Sequence, residues 1–170
     1  VGKALEILKQ LFDVGELAAH VSSPDDILST FERVRSQQNT YRKTAFSTDD
    51  ILDDVLATSR LICQIDLKGF SETSQSTELR AGMKAIQPYL LTRGFSLPEA
   101  KLAASRAAFI ATILKKEHMT ADLAPLRFNE KKIEEIRNEQ LTGDFIAFNK
   151  LKRTNPEAFY YWWVISRLLQ

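Results

Sequence analysis

The strongest helix signal in this sequence is "SLPEAKLAASRAAFIATILKK", residues 96–116. Its Ser96, followed three residues later by Glu99, matches the capping box that starts a helix, and Pro98 suits the first helical turn. The two lysines that close it complement the negative C-terminal end of a helix dipole. Alanine fills much of the body, and so small a side chain lets neighbouring helices approach closely. The stretch therefore predicts a central helix over residues 97–116.

Further helix signals lie on both sides of this stretch, where apolar residues recur at helical spacing and Ser, Asn or Pro stand at helix starts. The other predicted helices cover residues 3–20, 24–39, a segment beginning after Ser47, 77–92, about 130–138, 142–152 and a last segment capped by Asn155. Gly15 is expected to loosen the first helix and Pro88 to kink the fourth. No alternating run of β-branched residues and no Asn-Gly hairpin signal occurs, so we expect no substantial sheet. The fold class predicted is all-α: a single-domain bundle of about seven to eight helices over residues 1–170, with polar segment 66–76 as a candidate hinge.

Composition limits the classes of protein to consider. The 170 residues are 44% hydrophobic and 26% charged, which is typical of a globular domain. With 23 basic and 22 acidic residues the net charge is +1, so a nucleic-acid or membrane partner would need a local patch. No apolar run approaches the roughly 18 residues that cross a bilayer, and we expect no membrane partner. The single Cys63 excludes an intrachain disulfide and favours a cytoplasmic setting. A start without methionine, almost inside a helix, is compatible with a fragment of a longer protein.

The densest acidic cluster is "STDDILDD", residues 47–54. Asp49 and Asp53 lie four residues apart, as do Asp50 and Asp54, so each pair shares a helix face. Paired carboxylates can hold Mg²⁺ or act as general acid and base. Acids in a first helical turn also interact favourably with the helix N-terminus. The second interpretation is favoured, and no metal site is predicted.

Catalytic signatures are missing from the sequence. His20 and His118 are the only histidines, and each falls at a predicted helix end without a cysteine or second histidine at ligand spacing. There is no glycine-rich phosphate loop, no Gly-x-Ser-x-Gly elbow and no His-Glu-x-x-His motif. We therefore expect no catalysis by this chain alone and no cofactor held within it.

Two basic stretches are candidates for binding nucleic acid or a partner: "ERVRSQQNTYRK", residues 32–43, and "NKLKRTNP", residues 149–156. Their basic residues are Arg33, Arg35, Arg42, Lys43, Lys150, Lys152 and Arg153. Basic side chains beside an aromatic such as Tyr41 can grip a phosphate backbone and stack a base. The alternative is a pair of solvated helix faces balanced by nearby acids. The two stretches would form one patch only if the fold brought them together.

The stretch "RTNPEAFYYWWVISRLL", residues 153–169, places four large aromatics side by side. Four consecutive residues point to all sides of a helix, so they cannot form one flat stacking surface. We therefore predict a core-packing helix in preference to a ligand platform. Its main apolar face is expected to consist of Phe159, Trp162, Ile165 and Leu169. Tyr160 and Tyr161 are expected to turn away from that face, toward water or a polar partner.

Two segments carry a resemblance to a known family. "KQLFDVGEL" (9–17) is similar to the Arg-Asp-x-Tyr-Asp-Leu-type helix that follows the catalytic core in nucleotidyltransferase toxins of the AbiEii family. "FNKLKRTNPEAFYYW" (148–162) resembles the C-terminal segment of some longer members. The resemblance implies a helical C-terminal part of such a toxin, which supports binding of a substrate such as tRNA or of an antitoxin. Mg²⁺ and a nucleotide would belong to an N-terminal catalytic domain of the same protein.

The resemblance also carries one candidate catalytic residue. Asp13 matches an acid of the family's helix motif, which implies an active-site-facing carboxylate, whereas Gln10 stands where the first acid would be. The family's Gly-Ser motif with its metal-binding Asp pair is not found. Asp13 can equally be an ordinary exposed helix residue. Two further hypotheses remain beside the toxin domain: a free-standing protein-interaction module, and a metal-dependent enzyme that would depend on the acids of residues 49–54.

Overall fold

Local helix-start signals shape most of the elements that the structure contains. The structure is a computed structural model and describes residues 2–18, 20, 23–90, 94–116 and 122–169. Its α-helices are α1 Gly2–Leu17, α2 Pro24–Arg42, α3 Thr48–Gln64, α4 Ser74–Ala85, α5 Leu97–Lys115, α6 Lys132–Ile136, α7 Leu151–Thr154 and α8 Pro156–Leu168. Short 3-10 helices cover Gln87–Tyr89, Ala124–Leu126 and Gly143–Lys150. The described ranges contain no strand, and the predicted all-α, single-domain bundle is confirmed. Within the same ranges, every helix is too short or too polar to cross a membrane.

The central helix is α5, as the alanine-rich stretch predicts. Ser96 and Glu99 form the capping box at its start. Thirteen of its 19 residues are buried, and α1, α3 and α8 all pack against it. A helix that is buried on nearly every side must lie in the middle of a bundle. Small residues allow that position, since Ala104 and Ala108 are fully buried beneath their neighbours.

Two glycines set the close approach of α1 to the rest of the bundle. Gly15 lies against α5, where an added Cβ would come within 2.9 Å of the Ala103 Cα. Gly82 of α4 lies against α1, where an added Cβ would come within 2.9 Å of the Ala4 carbonyl carbon. The expectation that Gly15 loosens α1 is wrong, because the helix runs through it to Leu17. The missing side chain serves helix packing instead.

Several helix ends differ from the prediction. The second helix continues past Asn39 to Arg42 and is closed by Lys43 in the left-handed conformation, with φ 54°. The Asn39 side chain has another use, because its Nδ2 donates to the Phe46 carbonyl (2.8 Å). Pro88 does not kink the fourth helix, which ends at Ala85. It lies in the 3-10 turn that follows, where a fixed φ suits the first positions.

The candidate hinge, segment 66–76, consists mostly of the loop between α3 and α4. Its last three residues form the first turn of α4, which Thr73 caps. Arg80 of α4 binds both ends of the loop, through Asp66 (2.5 Å) and Glu72 (2.7 Å). Asp66 adopts a positive φ of 62°, a conformation that short polar side chains tolerate better than most. Movement about this segment stays a prediction.

The aromatic helix α8 is the core element that its sequence predicts. Asn155 caps it, accepting a hydrogen bond from the Ala158 N–H (3.3 Å). Trp162 is 1% exposed, and its ring centroid lies 4.6 Å from that of Phe148. Its Nε1 donates to the Cys63 Sγ (3.2 Å). The core interpretation of the four aromatics is thus confirmed for Trp162.

The prediction that the two tyrosines turn toward water is wrong, although the Tyr161 hydroxyl meets a polar partner and accepts from the Phe128 N–H (3.4 Å). Tyr160 is 1% exposed and Tyr161 is 5% exposed, so neither turns toward water. The residues that precede α8 cover its second side, and Phe128 packs on Tyr160 at 5.6 Å between centroids. Burial raises the pKa of Tyr160 to about 12. Leu169, predicted to belong to the apolar face, is instead 47% exposed at the helix end.

Candidate functional site

The basic residues predicted on the first stretch lie on the second half of α2 or at its cap: Arg33, Arg35, Arg42 and Lys43. Arg35 binds the Glu32 carboxylate and the Phe46 carbonyl (3.1 Å). Arg42 binds the Gln38 side chain (3.2 Å). Arg33 and Lys43 are exposed. One of the four, Arg35, thus holds the corner between α2 and α3, and Arg42 has its partner within α2.

The second basic stretch divides between structural and accessible positions. Lys152 donates to the Arg137 carbonyl (3.2 Å) and the Glu139 carbonyl. Its ammonium also lies 4.9 Å from the Phe159 ring centroid. Arg153 is exposed, and Lys150 is exposed at the edge of a cleft. No hydrogen bond or ion pair of the described chain joins this stretch to the one on α2.

The acidic candidates have local partners or solvent. Asp13 is exposed on α1. Asp50 accepts hydrogen bonds from the Ser47 N–H and hydroxyl, and these bonds lower the pKa of its carboxyl. Lys115 pairs with Asp53. Across the described residues, no group of three or more His, Cys, Asp or Glu could hold a metal ion. His20 is exposed, and His118 lies outside the described residues.

A cleft of about 340 Å³ gathers cationic side chains from three separate parts of the chain, and we call it the basic cleft. The α3–α4 loop, the first turns of α5 and the two ends of α7 meet there. Its lining residues are Asp66, Leu67, Lys68, Leu97, Pro98, Lys101, Lys150, Thr154 and Asn155. The volume lies in the range of small-ligand pockets.

Lys101 is the buried member of the lining. It is only 8% exposed, and its Nζ donates to the Ile65 carbonyl (2.6 Å) at the end of α3. Desolvation lowers the pKa of this ammonium, while the neighbouring Asp66 carboxylate acts in the opposite direction. A cation held in this way interacts more strongly with an incoming anion than a solvated one does, because water screens it less.

Two helix starts complete the wall of the basic cleft. The Asn155 Nδ2 donates to the Pro98 carbonyl (3.0 Å), which fixes the start of α8 beside the start of α5. Helix N-termini carry partial positive charge and favour anions. Glu99 stands in the first turn of α5, where its carboxylate accepts from the Ser96 N–H (2.9 Å) within the cap.

The charge balance of the basic cleft is positive. Lys68, Lys101 and Lys150 contribute three cations, and Asp66 is the one acid of the lining. Both carboxylate oxygens of Asp66 accept from Arg80, at 2.5 and 3.3 Å, and this pairing lowers the pKa of the carboxyl. The arrangement can therefore bind an anion that carries several oxygen acceptors.

Of these three lysines, only Lys150 is predicted from the sequence as a binding residue. Lys68 lies in the polar segment predicted as a hinge, and nothing local marks it as a binding residue. Lys101 lies in the helix body, where the pattern indicates core. Their nearness to Lys150 arises from packing between residues far apart in the chain. The available signal is weak: a lysine within an otherwise apolar, alanine-rich helix face.

A second surface feature lies on α2. A shallow groove of about 520 Å³ is lined by His20, Ser23, Asp26, Ile27, Thr30, Phe31 and Val34. Farther along the same helix face, Tyr41 is 85% exposed, and Val34 is 47% exposed. Spacing of seven residues places Ile27, Val34 and Tyr41 on one stripe, which we call the α2 stripe.

Comparison with known proteins yields no match to this chain among family models, curated proteins or solved structures.

Proposed function

We propose that this chain is a non-catalytic helical domain that binds nucleic acid, serving a nucleotidyltransferase-type toxin as the part that holds a substrate such as tRNA. The basic cleft is the observation that carries the proposal. The toxin affiliation rests on the resemblance of residues 9–17 and 148–162. The second of these segments supplies Lys150, Thr154 and Asn155 to the cleft lining.

The chemistry of the basic cleft suits phosphate. Lysine ammonium groups act as point charges on phosphate oxygens, and binding releases the counterions condensed on the nucleic acid. The whole chain has a net charge of only +1, so attraction to nucleic acid has to come from a local concentration of cations. The cleft provides that concentration, with its one acid already paired to Arg80.

The test measures binding of unfractionated tRNA by fluorescence anisotropy over a range of salt concentrations. Replacing the two exposed cleft lysines together, Lys68→Gln with Lys150→Gln, should weaken binding and reduce the magnitude of the salt slope by about 2. The matched control, Lys3→Gln with Lys84→Gln, removes the same charge from exposed positions on α1 and α4. Absent binding, salt-independent binding or equal loss in both double variants would contradict the proposal.

The toxin affiliation has a separate test. The gene region upstream of Val1 should encode a Gly-Ser motif with paired aspartates, as the family's catalytic core has. A start codon close to Val1 would overturn the affiliation while leaving nucleic-acid binding in place.

The α2 stripe favours a second candidate, a free-standing protein-interaction module without nucleotide chemistry. Val34 and Tyr41 expose apolar surface, and Ile27 and Phe31 are only half-buried beside them. Exposed apolar stripes on helices are typical of partner-binding surfaces. A photoreactive amino acid placed at Tyr41 or at Lys150 separates the candidates in cells. RNA adducts from position 150 support the nucleic-acid domain, whereas protein adducts from position 41 without RNA adducts from 150 favour the module.

A further inference from the structure

The depth of the basic cleft distinguishes an end group from a continuous strand. Lys68 and Lys150 are exposed at its rim, and a phosphodiester backbone passing over the surface can reach both. Lys101 is 8% exposed, so such a backbone would pass above it. Only a group that projects into the cleft can meet its ammonium.

The charge of the basic cleft also favours an end group over an internal phosphate. A terminal phosphate monoester carries about −1.5 to −2 at neutral pH, whereas each internal diester carries a single negative charge. Three lysines converge on the cleft, and its one acid is bound by Arg80. Within the described structure, the Lys101 Nζ makes one hydrogen bond, to the Ile65 carbonyl. An ammonium has three N–H donors, so two are left for a ligand.

The apolar part of the lining can contact the base and ribose of an end nucleotide. Leu67, Leu97 and Pro98 stand beside the cationic side chains. The flat face of a base or ribose can cover such carbon surface while its phosphate contacts the lysines. A cleft of about 340 Å³ is too small for a duplex and accommodates one terminal residue.

We propose, on the basis of the nucleic-acid function above, that the basic cleft is a subsite for the terminal phosphate monoester of a single-stranded RNA end. Lys101 is its inner contact, and Lys68 and Lys150 bind from the rim. Internal phosphates of the same strand then lie on the surface outside the cleft and add the salt-dependent, sequence-independent part of the affinity.

The experiment compares three single-stranded RNAs of one sequence with an internal fluorophore: one with a 5′-phosphate, one with a 3′-phosphate and one with hydroxyl groups at both ends. Anisotropy at constant salt should show that at least one phosphorylated RNA binds about tenfold more tightly than the hydroxyl form, because charge-assisted hydrogen bonds are lost with the phosphate. Lys101→Met keeps the buried stem and should abolish this preference. Lys84→Met on the exposed end of α4 should retain it.

Folding of the Lys101→Met variant is checked by its thermal transition in circular dichroism. If that variant unfolds, the double variant Lys68→Gln with Lys150→Gln takes its place, since both positions are exposed, and it should also reduce the preference for the phosphorylated end. Equal binding of all three RNAs, still lost with salt and with the double variant, would overturn the end-group subsite and leave the proposed function standing. No binding of any RNA would overturn both.

Discussion

At the scale of single residues, Cys63 lies in the core where α3 contacts α5 and α8. Its side chain is fully buried, with the Trp162 Nε1 donating to the sulfur at 3.2 Å and the Ser105 hydroxyl 3.4 Å away. Desolvation raises the pKa of the thiol, and the hydrogen bonds only partly offset this effect. Because the thiolate is the reactive form, both the raised pKa and the lack of access protect the sulfur.

We expect Cys63 in the native protein to resist thiol reagents at pH 8 and to react with one equivalent when denaturant unfolds the chain. The chain has one cysteine, so the assay has a single signal. The reaction of 5,5′-dithiobis(2-nitrobenzoate), followed by absorbance, should be limited by the opening of the core. Full modification of the native protein within the mixing time would contradict the buried position.

Trp162 is the other residue of the contact with Cys63. We expect Trp162→Phe to lower the free energy of unfolding by about 2 kcal/mol, because it leaves a cavity beside Phe148 and removes the hydrogen bond to Cys63. The matched control is Trp163→Phe at the neighbouring position. Trp163 is half-buried and its Nε1 donates to the Glu139 carboxylate (2.8 Å), so we expect a loss of about 1 kcal/mol. Urea unfolding compares the two, and a larger loss at Trp163 would contradict the packing described.

At the scale of helices, starts were predictable where a local cap decides them. Ser47, Ser96 and Asn155 each act within three residues of their own position, and each begins the expected helix. Ends and irregular turns depend on distant neighbours. The residues of Gly143–Lys150 were expected to be an ordinary helix and form a 3-10 helix instead. The wrong orientation of Tyr160 has the same origin, because its cover comes from another part of the chain.

The basic cleft was predictable only in part, for a related reason. Lys150 belongs to a run of basic residues in the sequence, and that run predicts it as a binding residue. Lys68 and Lys101 have no other basic residue beside them in the sequence, and they meet Lys150 only because the α3–α4 loop and α5 pack against the segment around α7. Separation along the chain hides such a site from any local pattern.

The contact between α1 and α4 gives a test at this scale. We expect Gly82→Ala to lower the free energy of unfolding by about 2 kcal/mol, because the new methyl would come within 2.9 Å of the Ala4 carbonyl carbon, and backbone cannot move aside as a flexible side chain can. The control, Gly2→Ala, meets nothing within 4 Å and should be neutral or slightly stabilising, since alanine favours a helix. Denaturant unfolding of both variants provides the comparison. Equal stability of the two would show that the helices can separate without cost.

At the scale of the whole molecule, a few side chains join elements that are distant in sequence. Arg106 of α5 binds Glu157 of α8 (2.7 Å) and approaches Glu16 of α1 (3.4 Å). The Arg106 side chain is 17% exposed, so this bridge is screened less than a fully solvated pair. Three helices thus share one guanidinium, beside the end of α1 and the start of α8. The basic cleft is lined by the starts of α5 and α8, two of the helices that this guanidinium joins.

Acid should unfold this bundle through carboxylates whose pKa the fold lowers: Glu32, Asp50, Asp66, Glu72 and Glu139. A group with a lowered folded-state pKa binds fewer protons when folded, so stability rises with pH between its folded and unfolded pKa values. Its contribution is complete above the unfolded values, near 4, and is lost as pH falls through the folded ones. These groups should leave the urea midpoint nearly constant between about pH 7 and pH 5. At pH values below about 4, the midpoint should decrease.

One carboxylate to examine in this acid transition is Glu139, which accepts from the Trp163 Nε1 and from Arg167 (3.1 Å). These two bonds lower the pKa of its carboxyl. Glu139→Gln keeps an acceptor but cannot titrate, so the fall in stability from pH 5 to pH 3 should be shallower than in the wild type. Glu6→Gln, the same change at an exposed position on α1, serves as the control. Identical slopes for the wild type and Glu139→Gln would mean that this carboxylate is not anchored in the folded state, and that the last turn of α8 is held by its apolar contacts alone.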